Sequence, residues 1–94
     1  MTKLQLILFS ADWCGYCQKF KPEWDNIVQY AGATKNIRTT LYKHTDNVPA
    51  HLAGLKDRGY PTLVLVYKGD HIIYDRERNA EAVYDFAYEL INKN

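Results

Sequence analysis

Leu4-Gln5-Leu6-Ile7-Leu8-Phe9, followed after Ser10-Ala11-Asp12 by Trp13-Cys14-Gly15-Tyr16-Cys17, is the stretch that decides how this chain is read. The first run is short and almost continuously apolar, the pattern of a strand covered on both faces, and predicts a central parallel strand. From Cys14 on, Cys17, Phe20, Trp24, Ile27, Val28 and Ala31 recur at helical spacing, which predicts an amphipathic helix of about four to five turns. Gly32 is read as its stop. Pro22 lies inside the helix, where its missing N–H is expected to bend the axis. The strand thus carries two cysteines to the rim of a sheet. The helix then offers its unpaired first N–H groups and positive dipole end to the leading sulfur, which favours thiolate over thiol. One helical turn separates the sulfurs, so they can close a disulfide with little strain. With no third cysteine in the sequence, a structural bridge elsewhere is impossible, and the pair reads as a dithiol/disulfide exchange centre.

Working outward, Ile37 to His44 carries Ile37, Leu41 and two threonines and is read as a second strand. Asp46-Asn47-Val48-Pro49 resembles a helix cap, leading into a short helix through Leu52 and Leu55. Gly59-Tyr60-Pro61 breaks the chain before Thr62-Leu63-Val64-Leu65-Val66-Tyr67, a strong strand signal. Lys68-Gly69-Asp70-His71 is then a tight turn into Ile72-Ile73-Tyr74. Ala80, Val83, Tyr84, Ala87, Leu90 and Ile91 form the apolar stripe of a closing helix. The expected order is βαβαββα, an α/β arrangement with a right-handed parallel crossover and a late antiparallel hairpin. No repeat, low-complexity tract or linker interrupts it, so residues 1–94 are expected to form one domain.

Composition narrows the function further. The 94 residues hold 47% hydrophobic content, enough for a single modest core. Twelve Lys and Arg against 11 Asp and Glu leave a net charge of +1 without a basic block, so neither nucleic acid nor a membrane surface is an expected partner. No apolar stretch approaches a bilayer span, and the Met1-Thr2-Lys3-Leu4 start lacks the regions of a signal peptide, which points to the cytoplasm. A Cys-x-x-Cys pair is often half of a zinc site. Zinc needs two further ligands, and His44, His51 and His71 stand at no regular spacing, so no metal is expected. These histidines are read as decorating strand and helix surfaces, and most of the eight tyrosines as half-buried packing residues.

Trp-Cys-Gly-x-Cys after a strand, the proline eight positions beyond the first cysteine, and Gly59-Tyr60-Pro61-Thr62 before an apolar strand resemble thioredoxin and the catalytic domains of protein disulfide isomerase. The resemblance runs from Leu4 to Ile91. It implies a minimal thioredoxin fold, with a four-stranded mixed sheet in the order 2-1-3-4 and helices on both faces. It also implies a cis Pro61 facing the cysteines, with the Tyr60 backbone available to an extended peptide. Cys14 would be the attacking thiolate, its pKa lowered from about 8.5 toward roughly 3.5–7.5, and Cys17 the resolving thiol. Gly15 and Tyr16 separate them. Trp13, Tyr16, Gly59, Tyr60 and Pro61 would form the rim on which a polypeptide docks.

Three departures accompany the resemblance. Leu8 stands where the family usually keeps a buried acid, and Lys43, expected to be a partly buried neutral amine, is a candidate to take the proton instead. Arg78, with Arg76 as its neighbour, matches a mobile arginine brought near the resolving cysteine. Tyr16 replaces the proline or histidine usual between the cysteines. The implied activity is reduction or exchange of disulfides in protein substrates by a monomer without a bound cofactor. No flavin or nicotinamide motif is present, so a reductase protein or a small thiol would supply electrons. Two other readings stay open, a glutathione-dependent glutaredoxin-like reductase and a binding module that uses the fold as a scaffold.

Overall fold

The sheet assembles around β1 (Leu4–Ser10), which buries Leu4, Leu6 and Leu8 on one face and Ile7 and Phe9 on the other. The computed structural model describes residues 3–92 apart from Lys35 and Asp57; Met1, Thr2, Lys93 and Asn94, at the ends of the expected domain, lie outside it. Helix α1 (Gly15–Gly32) follows β1 and leads to β2 (Ile37–Lys43). A 3-10 turn at Ala50–Leu52 runs into the short α2 (Ala53–Lys56), and β3 (Thr62–Tyr67), β4 (Asp70–Ile73) and α3 (Ala80–Asn92) complete the chain.

The strand order is β2-β1-β3-β4, as expected. β2 runs parallel to β1, with Leu4 opposite Ile37 and Ser10 opposite Lys43. β3 is antiparallel to β1, and β4 antiparallel to β3. Leu4, Leu6, Leu8, Leu63 and Leu65 pack against Phe20, Trp24 and Ile27 of α1 and Val83, Tyr84 and Ala87 of α3. On the opposite face Ile7, Phe9 and Val64 meet Leu52 and Leu55. Helices therefore cover both faces, and the alternation of β1 divides the core in two. Among the described residues no helix is long and apolar enough to cross a membrane.

Several local expectations change. Cys14 is the cap of α1 rather than its first residue. Gly32 is the last helical residue, but the cap is Ala33 in a right-handed conformation, so the stop does not use a left-handed glycine. Val28 is 40% exposed and lies off the apolar stripe. Asp46 does not cap α2: its carboxylate accepts the Lys43 N–H at 2.8 Å and closes the turn after β2. The hairpin turn is only Lys68-Gly69, with φ of 52° and 83°, and Asp70 and His71 already belong to β4. This pair of left-handed conformations matches the right-handed twist of the flanking strands, and the glycine adopts its half without steric cost. Tyr74 falls just beyond β4, although its N–H still reaches the Leu63 carbonyl at 2.8 Å.

Side chains tie α1 to α3 across the core. Glu23 accepts the Ala80 N–H at 2.9 Å, satisfying one of the orphan donors that begin α3. The buried Tyr84 hydroxyl donates to the Ile27 carbonyl, and burial holds its phenol protonated, with a pKa pushed up to about 12. Replacing Glu23 by Ala removes both an acceptor and a negative charge at a helix N-terminus, and the expected loss is about 0.5–2 kcal/mol in urea denaturation. Glu23→Gln keeps an acceptor and should lose less. A Gln variant as unstable as the Ala variant would assign the effect to charge alone.

Candidate active site

β1 ends at the rim of the sheet, and the chain turns through Ala11, Asp12 and Trp13 before α1 begins. The turn is held from inside: the Cys14 N–H bonds to the Ala11 carbonyl at 3.1 Å, and the Gln18 side chain reaches back to the Asp12 carbonyl at 3.0 Å. Cys14 occupies the N-cap with extended backbone angles, and its Sγ accepts the Cys17 N–H at 3.3 Å. A sulfur thus fills the place usually taken by a serine or aspartate oxygen. Gly15 is the first residue of the helix, with open space where a side chain would project.

Facing the cysteines is the Gly59-Tyr60-Pro61 segment. Gly59 has a φ of +106°, a conformation that side-chain-bearing residues rarely adopt, and its carbonyl accepts the Thr62 hydroxyl at 2.7 Å. The Tyr60–Pro61 bond is cis, as the resemblance implies. The Cys14 thiol donates to the Tyr60 carbonyl at 3.4 Å, so in the dithiol form that carbonyl is turned to the sulfur. Tyr60 also packs on the small cluster of Ala11, Cys14 and Cys17.

Cys14 and Cys17 are both free thiols with 7% of their surface exposed, yet their acidities diverge. Burial works against the Cys14 thiolate. It is outweighed by hydrogen bonds from the Cys17 thiol and from the Cys17 and Tyr16 N–H groups, and by the charge of Arg78, so the pKa falls below the ordinary thiol value. At Cys17 burial wins. Its proton is needed by Cys14, and the donors left to it, the Ala11 N–H and the Ser10 hydroxyl, only partly offset the rise. The arrangement sets a thiol of raised acidity beside one of lowered acidity one helical turn away.

Trp13 and Tyr16 project from this centre, 68% and 67% exposed. The Trp13 ring stands edge-on to Tyr60 at 5.8 Å between centroids, and the Lys19 ammonium lies 5.7 Å from the Tyr16 ring centre. Arg78 is on the loop before α3 and, with Leu8 and Pro61, lines a narrow space beside the cis bond. Arg76 is committed elsewhere: its guanidinium lies 4.7 Å from the Phe86 ring centre and 3.9 Å from the Glu89 carboxylate.

Two placements differ from expectation. Lys43 does lie on the same strand face as Ile37 and Leu41, but β2 is an edge strand, and at this end of it both Leu41 and Lys43 are exposed. Its side chain is 54% exposed and 4.0 Å from the Asp12 carboxylate, so it is no buried amine. His44 was expected to decorate the surface. It sits in the rim, 5.9 Å from Trp13 and 6.4 Å from Tyr60 between ring centroids, and its buried Nδ1 has no hydrogen-bond partner among the described residues. The parallel pairing of β1 and β2 could have revealed this position, because it brings the residue after β2 to the cysteine end of the sheet. No cluster of three or more metal-ligating side chains occurs among the described residues.

A sheet of order 2-1-3-4, a cysteine pair at the start of the first helix and a cis proline facing it define a thioredoxin-fold domain with a dithiol centre. The chain belongs to the thioredoxin family, whose pattern it matches over residues 1–89. It is 32% identical over 88 residues to protein disulfide-isomerase of Saccharomyces cerevisiae, covering 89% of this chain and 16% of that protein. It is 34% identical over 85 residues to bloodstream-specific protein 2 of Trypanosoma brucei brucei, covering 89% of this chain and 17% of that protein. Among solved structures, the first thioredoxin domain of mouse protein disulfide-isomerase A4 superposes with a TM-score of 0.77 at 27% identity, covering 94% of this chain and 63% of that one. The chain spans about a sixth of the length of these two curated relatives.

The ordering of influences on Cys14 gives a direct test. Alkylation by iodoacetamide should show Cys14 reacting with a pH midpoint below that of an ordinary thiol, while Cys17 reacts only at higher pH. Cys17→Ala should raise the Cys14 midpoint more than Arg78→Met does, since the Cys17 thiol acts through a hydrogen bond and Arg78 through space. An unchanged midpoint in Arg78→Met would remove that residue from the site.

Proposed function

We propose that this domain is a thiol–disulfide oxidoreductase acting on disulfides of protein substrates. The observation that carries the reading is the unequal pair: Cys14 caps α1 with its acidity raised, and Cys17 is held protonated beside it. The Cys14 thiolate attacks one sulfur of a substrate disulfide, forming a mixed disulfide and releasing the other sulfur as a thiolate that takes a proton from water. Cys17 then loses its proton and attacks Cys14. The Cys14–Cys17 bond forms, the second substrate sulfur leaves, and two electrons have passed to the substrate. Run in reverse, the same steps oxidise a dithiol.

Protein rather than a small disulfide is the proposed substrate because Trp13 and Tyr16 extend a largely exposed aromatic surface on either side of Cys14. A reductase protein or small thiol is proposed as the electron donor, and a reducing compartment such as the cytoplasm as the setting, with the domain acting as a monomer.

Insulin reduction followed by turbidity is the test. Cys14→Ser should abolish the activity. Cys17→Ser should retain a single attack and accumulate a mixed disulfide visible by mass spectrometry. Neither effect is expected of a scaffold that only binds. Tyr16 carries no charge to stabilise the thiolate, so equilibration with glutathione should place the pair between about −270 mV, the value for thioredoxin, and about −180 mV, that for protein disulfide isomerase. A value outside that interval would overturn the role given to Tyr16.

A further inference from the structure

Resolution requires Cys17 to lose a proton, and Cys17 is 7% exposed. Leu8, 3% exposed, offers no base, and the Lys43 amine is turned toward solvent and Asp12. Beside Cys17, however, lies an open cavity of about 260 Å³. Cys17, Ser10 and Leu8 are part of its wall, and Leu41, Asp12 and Lys43 stand around it. Ser10 is the last residue of β1, half-buried and opposite Lys43 in the sheet. The cavity holds more than enough room for solvent, which needs roughly 30 Å³ per water molecule in the liquid.

We propose that Ser10 and this cavity form the deprotonation route of the resolving thiol: Cys17 yields its proton to solvent in the cavity while the Ser10 hydroxyl donates to the sulfur as negative charge develops. The proposal rests on the oxidoreductase reading and assigns a residue to its second half. The state in which the route operates is the mixed disulfide. There Cys14 is bonded to substrate and carries no charge, so its competition for the Cys17 proton ends. What remains is burial against two donors, the Ala11 N–H and the Ser10 hydroxyl. The backbone donor is fixed by the fold, which leaves the hydroxyl as the part that substitution can change. Cys14 takes its stabilisation from the Cys17 thiol, the Cys17 and Tyr16 N–H groups and Arg78, so the first half-reaction is expected to proceed without Ser10.

The step balances as written. The Cys17 S–H bond breaks and its proton passes to water; the thiolate forms the S–S bond to Cys14 as the Cys14–substrate bond breaks. The departing substrate thiolate carries away the electron pair.

The two halves can be timed with the aromatic disulfide 5,5′-dithiobis(2-nitrobenzoate). Attack by Cys14 releases one coloured thiolate, and attack by Cys17 on the mixed disulfide releases the second. Ser10→Ala should leave the first release unchanged. It should slow the second about tenfold, as loss of a hydrogen bond to a developing charge predicts, and move its pH midpoint upward. Ser10→Thr, which keeps the hydroxyl, should stay within about twofold of the parent in both releases. A second release in Ser10→Ala within about twofold of the parent, at the same pH midpoint, overturns the proposal. Should Ser10→Ala fail to fold, Ser10→Val decides: it matches the shape of Ser10→Thr at this strand position and lacks only the hydroxyl. A slower second release supports the proposal and an unchanged one overturns it. Absence of either release from the parent protein would instead sink the oxidoreductase reading.

Discussion

The hydrogen bond from the Cys17 N–H to the Cys14 sulfur is the interaction on which the rest of the site depends. It exists because β1 is buried on both faces and ends at the rim, so the turn after it must launch α1 with its first N–H groups pointing outward. A helix start needs an acceptor, and a thiolate is a better acceptor than a thiol. The fold thus satisfies a local backbone requirement and sets the charge on a side chain in one step. Everything else at the site either limits access to that sulfur or adds to its stabilisation.

Burial disfavours both thiolates, and at Cys17, which lies deeper, it wins because the donors are also shared unequally. Cys14 collects two backbone N–H groups and the neighbouring thiol, whereas Cys17 gives up its own proton to that interaction. The divergence in acidity therefore follows from depth and from the donors each sulfur meets along a single helical turn. Tyr60 belongs to the same logic. Its carbonyl accepts from the Cys14 thiol only while that thiol carries a proton, so ionisation frees the carbonyl for other partners.

Much of this was legible in the chain itself. The unbroken apolar run of β1, the helical recurrence from Cys17 to Ala31 and the turn before β4 are local patterns, and each survives in the structure with shifts of a residue or two at its ends. The misreadings have a common physical origin. Helical spacing puts Val28 on the apolar stripe, and the resemblance together with a shared strand face makes Lys43 a partly buried amine, but both are exposed, because spacing gives the face of an element and not whether another element covers it. Asp46 carries the composition of a helix cap and instead closes the preceding turn, because a carboxylate accepts from whichever N–H the backbone presents first. His44 and Ser10 carry no motif at all. Their importance comes from the parallel pairing of β1 with β2, which brings residues more than thirty positions apart to one end of the sheet.

An open sheet also has edges, and these invite unwanted strands from other chains. β2 leaves one edge and β4 the other. The exposed Arg38 and Lys43 place positive charge along the first, and the second is only four residues long, with Asp70 and His71 in solvent. Both are standard deterrents to lateral pairing and fibril growth. With both flanks guarded, an extended chain that meets this domain is turned away from the open hydrogen bonds of the sheet, and the fold stays clear of edge-to-edge growth.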